Sequence, residues 1–175
     1  MNGLEDRFDF IEGDLRDSAF FGELGHFDLV IGAPPFRSIR SGSMPKDPQR
    51  RVGRFEFHGG VEDYFDRAQR CLTPDGHAVI LMDGRQARRS LIAAERAGLF
   101  PKRLLKISSI PGSPPVFSIC IAGQAPGLLE HDSWNMIATD EPGDTSPSAS
   151  YLEVADRLDL PWKSSKFKVN KPRDE

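Results

Sequence analysis

The chain has 175 residues, 23 Lys and Arg against 26 Asp and Glu, a net charge of -3 and 38% hydrophobic residues. These values describe a soluble globular protein of one domain with a real core, and no extreme of charge or composition points elsewhere. No apolar run approaches the length of a membrane span and residues 1–6 lack the basic and apolar parts of a signal peptide, so no membrane partner and a cytoplasmic location are expected.

Phe8, Phe10 and Ile11 predict a short strand, with Glu12 to Asp17 as the loop after it. Asp14 has two readings there, as the N-cap of a helix from Ser18 to Leu24 or as a carboxylate facing a ligand. Phe27 to Gly32 predicts a second strand whose continuous Leu29-Val30-Ile31 run suits burial on both faces. It enters Ala33-Pro34-Pro35-Phe36, a turn in which two prolines fix φ and remove two donors, while an aromatic ring follows. In open α/β sheets ligands bind outside the carboxyl ends of strands, which makes this turn a candidate wall of a site.

Arg37 to His58 shows no periodicity, and a loop of that length in a compact domain calls for a function. It carries Arg37, Arg40, Lys46, Arg50, Arg51 and Arg54 against Asp47 and Glu56, a positive excess suited to phosphate contacts or to a solvated surface. Val61, Tyr64, Phe65, Ala68, Cys71 and Leu72 fall at helical spacing, predicting an amphipathic helix over 60–72 that stops at Pro74-Asp75-Gly76. A buried strand at His77 to Met82 and a helix from Gln86 to Ala97 follow, and Gly98 stands at the left-handed C-cap position. Leu104 to Ile110 and Val116 to Ala122 are expected as an antiparallel hairpin across Pro111-Gly112-Ser113-Pro114-Pro115. From residue 125 to 175 the composition predicts a mostly irregular tail with a short helix at 151–160, leaving 1–124 as the folded part. Cys71 and Cys120 lie far apart in apolar surroundings, which suits two buried thiols, and the scattered histidines offer no metal cluster.

The 27–36 stretch resembles the Asn-Pro-Pro-Tyr/Phe motif of class I S-adenosylmethionine-dependent methyltransferases that act on planar nitrogens. It is most similar to the bacterial valine-tRNA adenine-N6 methyltransferase family. Leu72-Thr73-Pro74-Asp75-Gly76-His77 and Ala97-Gly98-Leu99-Phe100 resemble the turns before that family's fifth and sixth strands, and the resemblance covers about residues 2–123. It implies a Rossmann-like α/β sheet of order 3-2-1-4-5-7-6, represented here by strands 3 to 7. It also implies S-adenosylmethionine as cofactor, with Asp14 accepting from the adenine amino group and Leu15 beside the ring. The motif residues Ala33, Pro34, Pro35 and Phe36 would form the catalytic wall, and Arg37, Arg40, Arg50, Arg51 and Arg54 would contact tRNA.

Two departures stand out. The family's motif Asn is Ala33, which removes a side-chain acceptor for the target amine. Nothing corresponds to the first two strands or to the Gly-rich turn between the first strand and its helix, so an N-terminally truncated chain is expected, with a split enzyme or a decayed remnant as alternatives. Strand 8–12 would then lack both its neighbours. A non-catalytic RNA-binding remnant or partner subunit, and a methyltransferase for a protein glutamine or a small molecule, are the other functional expectations.

Overall fold

The computed structural model describes residues 5–17, 24–40, 42, 44–139, 141, 144 and 146–158. Its frame is a five-stranded mixed sheet made of β1 (Phe27–Gly32), β2 (Leu72–Asp83), β3 (Phe100–Ser108), β4 (Pro115–Gly123) and β5 (Glu130–Asn135), in the order β1-β2-β4-β3-β5. β1 runs parallel to β2, β4 antiparallel to both β2 and β3, and β5 parallel to β3. Among the described residues four α-helices complete it: α1 (Pro48–Val52), α2 (Val61–Cys71), α3 (Ala87–Arg96) and α4 (Ala149–Arg157).

The α2 stripe expected from the sequence is the one buried, through Val61, Phe65, Ala68 and Cys71. Small residues of α3, Ala87, Ala93 and Ala94, let that helix approach the sheet closely. Both pack on the face formed by Ala78, Ile80 and Met82 of β2, Leu104 of β3, and Cys120 and Ala122 of β4. Alternation along the strands sends Val79, Leu81, Ile119 and Ile121 to the opposite face. α3 ends as anticipated: Gly98 has φ 79°, its N–H donates to the Glu95 carbonyl at 3.0 Å, and the Leu99 N–H donates to Ala94 at 2.9 Å. The hairpin is also present, with Leu105 opposite Ile119. Cys71 and Cys120 are both free and buried, and burial pushes the Cys120 thiol up to about 12.

Several expectations are corrected. Phe8, Phe10 and Ile11 form no strand and are 58%, 92% and 59% exposed, because no described strand lies beside them to satisfy their backbone groups. The helix expected at 18–24 falls mainly on residues outside the described ones. β1 is buried on one side only: Val30 packs on the core, while Leu29 and Ile31 are 53% and 73% exposed. The strand stands at the sheet edge, and α2 and α3 cover a single face. Pro74-Asp75-Gly76 does not precede β2 but bulges within it, since pairing moves from Phe27↔Leu72 to Leu29↔His77. Thr73 Oγ1 donates to Asp28 across this bulge at 2.9 Å, and a Cβ on Gly76 would stand 2.8 Å from the Phe27 carbonyl oxygen. Beyond Gln124 the chain is more ordered than expected. β5 extends the sheet beside β3, tied by an Arg103–Asp132 ion pair, and the helix runs over 149–157. Tyr151 and Val154 of α4 meet Ile107, Phe117 and Trp134 around an apolar cavity of about 210 Å³ on the face away from α2 and α3.

Gly84, which starts the Gly84–Gln86 turn after β2, has no room for a side chain. An added Cβ would lie 2.2 Å from the Pro115 carbonyl oxygen, a backbone atom of the paired strand that cannot move alone. Gly84→Ala is therefore expected to destabilise the protein by about 1–3 kcal/mol in urea unfolding, whereas an unchanged midpoint would mean that β4 yields freely.

Candidate functional site

The parallel β1–β2 pair determines what meets at the carboxyl edge. Gly32 pairs with Ile80, so Ala33 leaves β1 beside the end of β2 where Asp83 stands. Gly32 is required by packing, since its Cβ would stand 2.6 Å from Cδ1 of Tyr64, whose ring lies against the strand end. After it, Pro34 is buried, Pro35 and Phe36 are half-buried, and Ala33 is exposed.

The turn separates two cavities. The first, of about 630 Å³, is walled by Asp14 and Leu15 on one side and by Ala33 and Pro35 on another, with Val52, His58 and Tyr64 closing it. Residues read from two distant parts of the sequence thus share one space. The 14–16 loop is held there by Arg67 of α2, whose Nε donates to the Leu15 carbonyl at 2.8 Å and Nη2 to that of Arg16 at 3.0 Å. Asp14 is itself engaged: its Oδ1 accepts from the N–H and Nε of Arg16 at 2.9 and 3.0 Å, and its Oδ2 from Nη2 at 2.7 Å. These hydrogen bonds hold its carboxyl well below the usual range, with His58 adding a smaller effect in the same direction. Burial pushes the Tyr64 hydroxyl up, so it stays protonated.

The second cavity, about 490 Å³, contains Phe36, Arg37, Asp83, Arg85 and Gln86. Phe36 does not face the Asp14 cavity; it packs against the core and presents its other side here. Pro34 is absent from both linings because it is buried beneath the turn. Asp83 is 8% exposed, and its hydrogen bonds from Arg85 at 2.7–3.0 Å lower its pKa.

The described residues of the basic loop run beside these cavities. Arg37 forms a parallel bridge with Phe55, its N–H donating to the Arg54 carbonyl and its carbonyl accepting from Glu56 N–H, both at 3.0 Å. Arg37 thereby lines the second cavity. Arg50 and Arg51 lie on α1 and Arg54 just after it, next to the Val52–Gly53 wall of the first cavity rather than in its lining; α1 is capped by Asp47, which accepts from the Arg50 N–H at 3.2 Å. Arg40 is exposed and lines neither cavity, its N–H donating to Ser38 Oγ at 3.3 Å. Among the described residues no group of three or more His, Cys, Asp or Glu side chains could hold a metal.

Tyr64, Arg67, Gln86 and Arg89 were not among the site residues expected from the sequence, where Tyr64 was placed only on the apolar stripe of 60–72 and Gln86 only at the start of a helix. Tyr64 and Arg67 carried a signal, since i,i+3 spacing on α2 puts them on one side of the helix, where Tyr64 meets the end of β1 and Arg67 the 14–16 loop. For Gln86 and Arg89 there was none, because their partners lie 50 and 33 residues away.

No protein-family model matches this chain, and no curated protein does. Among solved structures, a predicted O-methyltransferase from Agrobacterium tumefaciens matches 75% of this chain and 51% of its own, at TM-score 0.51 and 16% identity. A TehB-like SAM-dependent methyltransferase from Corynebacterium glutamicum matches 65% and 54%, at TM-score 0.37 and 21% identity. For the M1.HpyAVI–SAM complex the figures are 66% and 53%, 0.44 and 12%. The chain spans about half the length of these structures. Its fold is the Rossmann-like α/β fold of the first of them.

Because Arg16 depresses the Asp14 pKa, the pair is intact above the free-carboxylate value of about 3.9 and is lost as pH falls through the lower folded value. Arg16→Gln should bring the Asp14 carboxyl titration, followed by carbon NMR, back up toward about 3.9. An unshifted titration would show that Arg16 is not its partner in solution.

Proposed function

We propose that this chain carries part of a methyltransferase that uses S-adenosylmethionine on a planar nitrogen, most specifically adenine N6 in tRNA. The observation that carries this reading is the meeting of Asp14 and Leu15 with Ala33 and Pro35 around one cavity of about 630 Å³. That volume lies within the usual 300–1,000 Å³ range of ligand sites. The donor set suits the adenosine end: a carboxylate that stays ionised, a leucine beside it and an aromatic wall. No glycine-rich turn after a strand occurs among the described residues, so the methionine end has no holder of that kind here.

When bound, the cofactor supplies an electrophilic methyl on a sulfonium. What this chain's own residues do is bind and orient. Asp14 and Leu15 hold the adenine side. Phe36 offers a flat apolar face in the neighbouring cavity for the target base, with Arg37 beside it for a phosphate, while Arg50, Arg51 and Arg54 add positive charge outside the first cavity and Arg40 beyond both. Of the two acceptors that the resemblance implies for the target amine the Pro34 carbonyl remains, but Pro34 is buried and lines neither cavity. Ala33 provides none, and a missing transition-state acceptor typically costs on the order of a hundredfold or more in rate.

Ala33 also favours a second reading, in which the chain binds RNA or a partner without catalysing. The two separate in one set of measurements: calorimetry with S-adenosylmethionine, and tritium transfer to and gel shift of unmodified tRNA. Binding of the cofactor and slow transfer are expected. A shift that survives without cofactor, alongside undetectable binding and transfer, would replace the first reading by the second. Ala33→Asn restores the acceptor at an exposed position with space before it, and should raise transfer to adenine on the order of a hundredfold. No gain, or a loss, would argue against an amine acceptor.

A further inference from the structure

The turn that divides the two cavities is gripped from the far side of the sheet edge by two residues with no role so far. Gln86 Nε2 donates to the Phe36 carbonyl at 2.8 Å, and Gln86 Oε1 accepts from Arg89 Nη1 at 3.1 Å. The same Nη1 donates to Glu56 at 2.6 Å, while Nε and Nη2 of Arg89 clasp the Glu62 carboxylate on α2 at 2.8 and 2.7 Å. Glu56 returns to the turn through its N–H, which donates to the Arg37 carbonyl at 3.0 Å. These contacts close a ring: Phe36, Gln86, Arg89, Glu56, Arg37, and back to Phe36 along the chain.

We propose that Gln86 and Arg89 are the positioning residues of this site, setting the direction of the 33–37 turn and clasping both ends of the basic loop to it. A carboxamide suits the first role because it donates and accepts at once; glutamate in its place could accept from Arg89 but not donate to a carbonyl. Arg89 suits the second because its planar fork satisfies two carboxylates in fixed directions. Arg89 is 33% exposed and Glu56 18%, so their attraction is screened less than that of an exposed pair. Nothing else described holds the Phe36 carbonyl, and the residues on either side of it, Pro35 and Arg37, line different cavities. Fixing that one peptide therefore fixes how the cavities face each other. In the methyltransferase reading, on which the catalytic part of this inference rests, alignment of acceptor and donor depends on that angle, whereas affinity for the adenosine end does not.

The test uses the full chain with Gln86→Leu and Gln86→Glu, the second retaining the Arg89 contact, and with Arg89→Leu. Amide hydrogen exchange is read at Arg37 and Glu56, whose N–H groups close the bridge, together with S-adenosylmethionine binding and tritium transfer to tRNA. Expected are exchange about tenfold faster at both amides, cofactor affinity within about twofold of wild type, and kcat lower by about tenfold or more with KM nearly unchanged. Unchanged exchange in all three variants overturns the clamp. Faster exchange with unchanged kcat overturns its positioning role. Should the wild-type chain transfer no methyl group, it is the functional reading that fails, and the exchange rates alone decide whether Gln86 and Arg89 hold the turn.

Discussion

Parallel pairing of β1 with β2 is the constraint from which the rest of the site follows. It makes both strands end at the same edge, so a turn leaving β1 and a turn leaving β2 must stand side by side. Sequence separation becomes irrelevant there: Gln86 follows β2 by three residues and meets Phe36, which follows β1 by four. The bulge at 73–76 adjusts this register. Without those extra residues β2 would end further from Ala33, and the carboxylate of Asp83 would not be next to the Phe36 cavity. Gly76, lying against the Phe27 carbonyl, is what allows the bulge to stay within pairing distance.

The core supports that edge from one side only. α2 and α3 press on the same sheet face, and each extends polar side chains past the core toward the edge: Tyr64 and Arg67 from α2, Arg89 from α3, with Gln86 just before α3. One set of helices therefore both buries the apolar stripe and aims the site. The other sheet face is served differently, by α4 over Phe117 and Ile107, and the β1 end of that face keeps Leu29 and Ile31 exposed. Apolar side chains on an edge strand are costly to leave in water and offer a template for pairing.

Much of the fold was legible because its signals are local. The α2 stripe, the Gly98 stop and the 111–115 hairpin each rest on a few adjacent residues, and each occurs near its expected place. The proximity of Asp14 to Ala33 came instead from a resemblance, since no periodicity relates residues on opposite sides of a strand. The failures share a cause. Phe8 to Ile11 has the composition of a strand but no described neighbour, and strand propensity without a ladder does not make a strand. β5 was missed for the converse reason: Glu130-His131-Asp132-Ser133 is polar, yet it pairs along β3 with Arg103 and Asp132 meeting across the ladder. Phe36, expected by resemblance in the wall of the site, is shared between the core and the cavity that holds Arg37 and Asp83.

The two carboxylates at the edge show how burial separates roles that geometry makes alike. Asp14 and Asp83 are each held by the arginine two positions on, with the same three hydrogen bonds at the same distances, from the N–H at 2.9 Å, Nε at 3.0 Å and Nη2 at 2.7 Å. In sequence these are Asp-Leu-Arg and Asp-Gly-Arg, equivalent on paper. The Asp14 side chain is 46% exposed and its arginine 50%, so water competes for both and the pair is exchangeable at small cost. The Asp83 side chain is only 10% exposed, and removing its partner would strand a charge with little water to take it. Asp14 can trade a contact with Arg16 for one with an incoming N–H donor. Arg85 is itself 78% exposed, so what stays in the wall of the second cavity is the Asp83 carboxylate, which anything entering beside Phe36 must accommodate. An exposed carboxylate facing one cavity and a buried one facing the other give the turn between them two different neighbours, and its own orientation is left to Gln86.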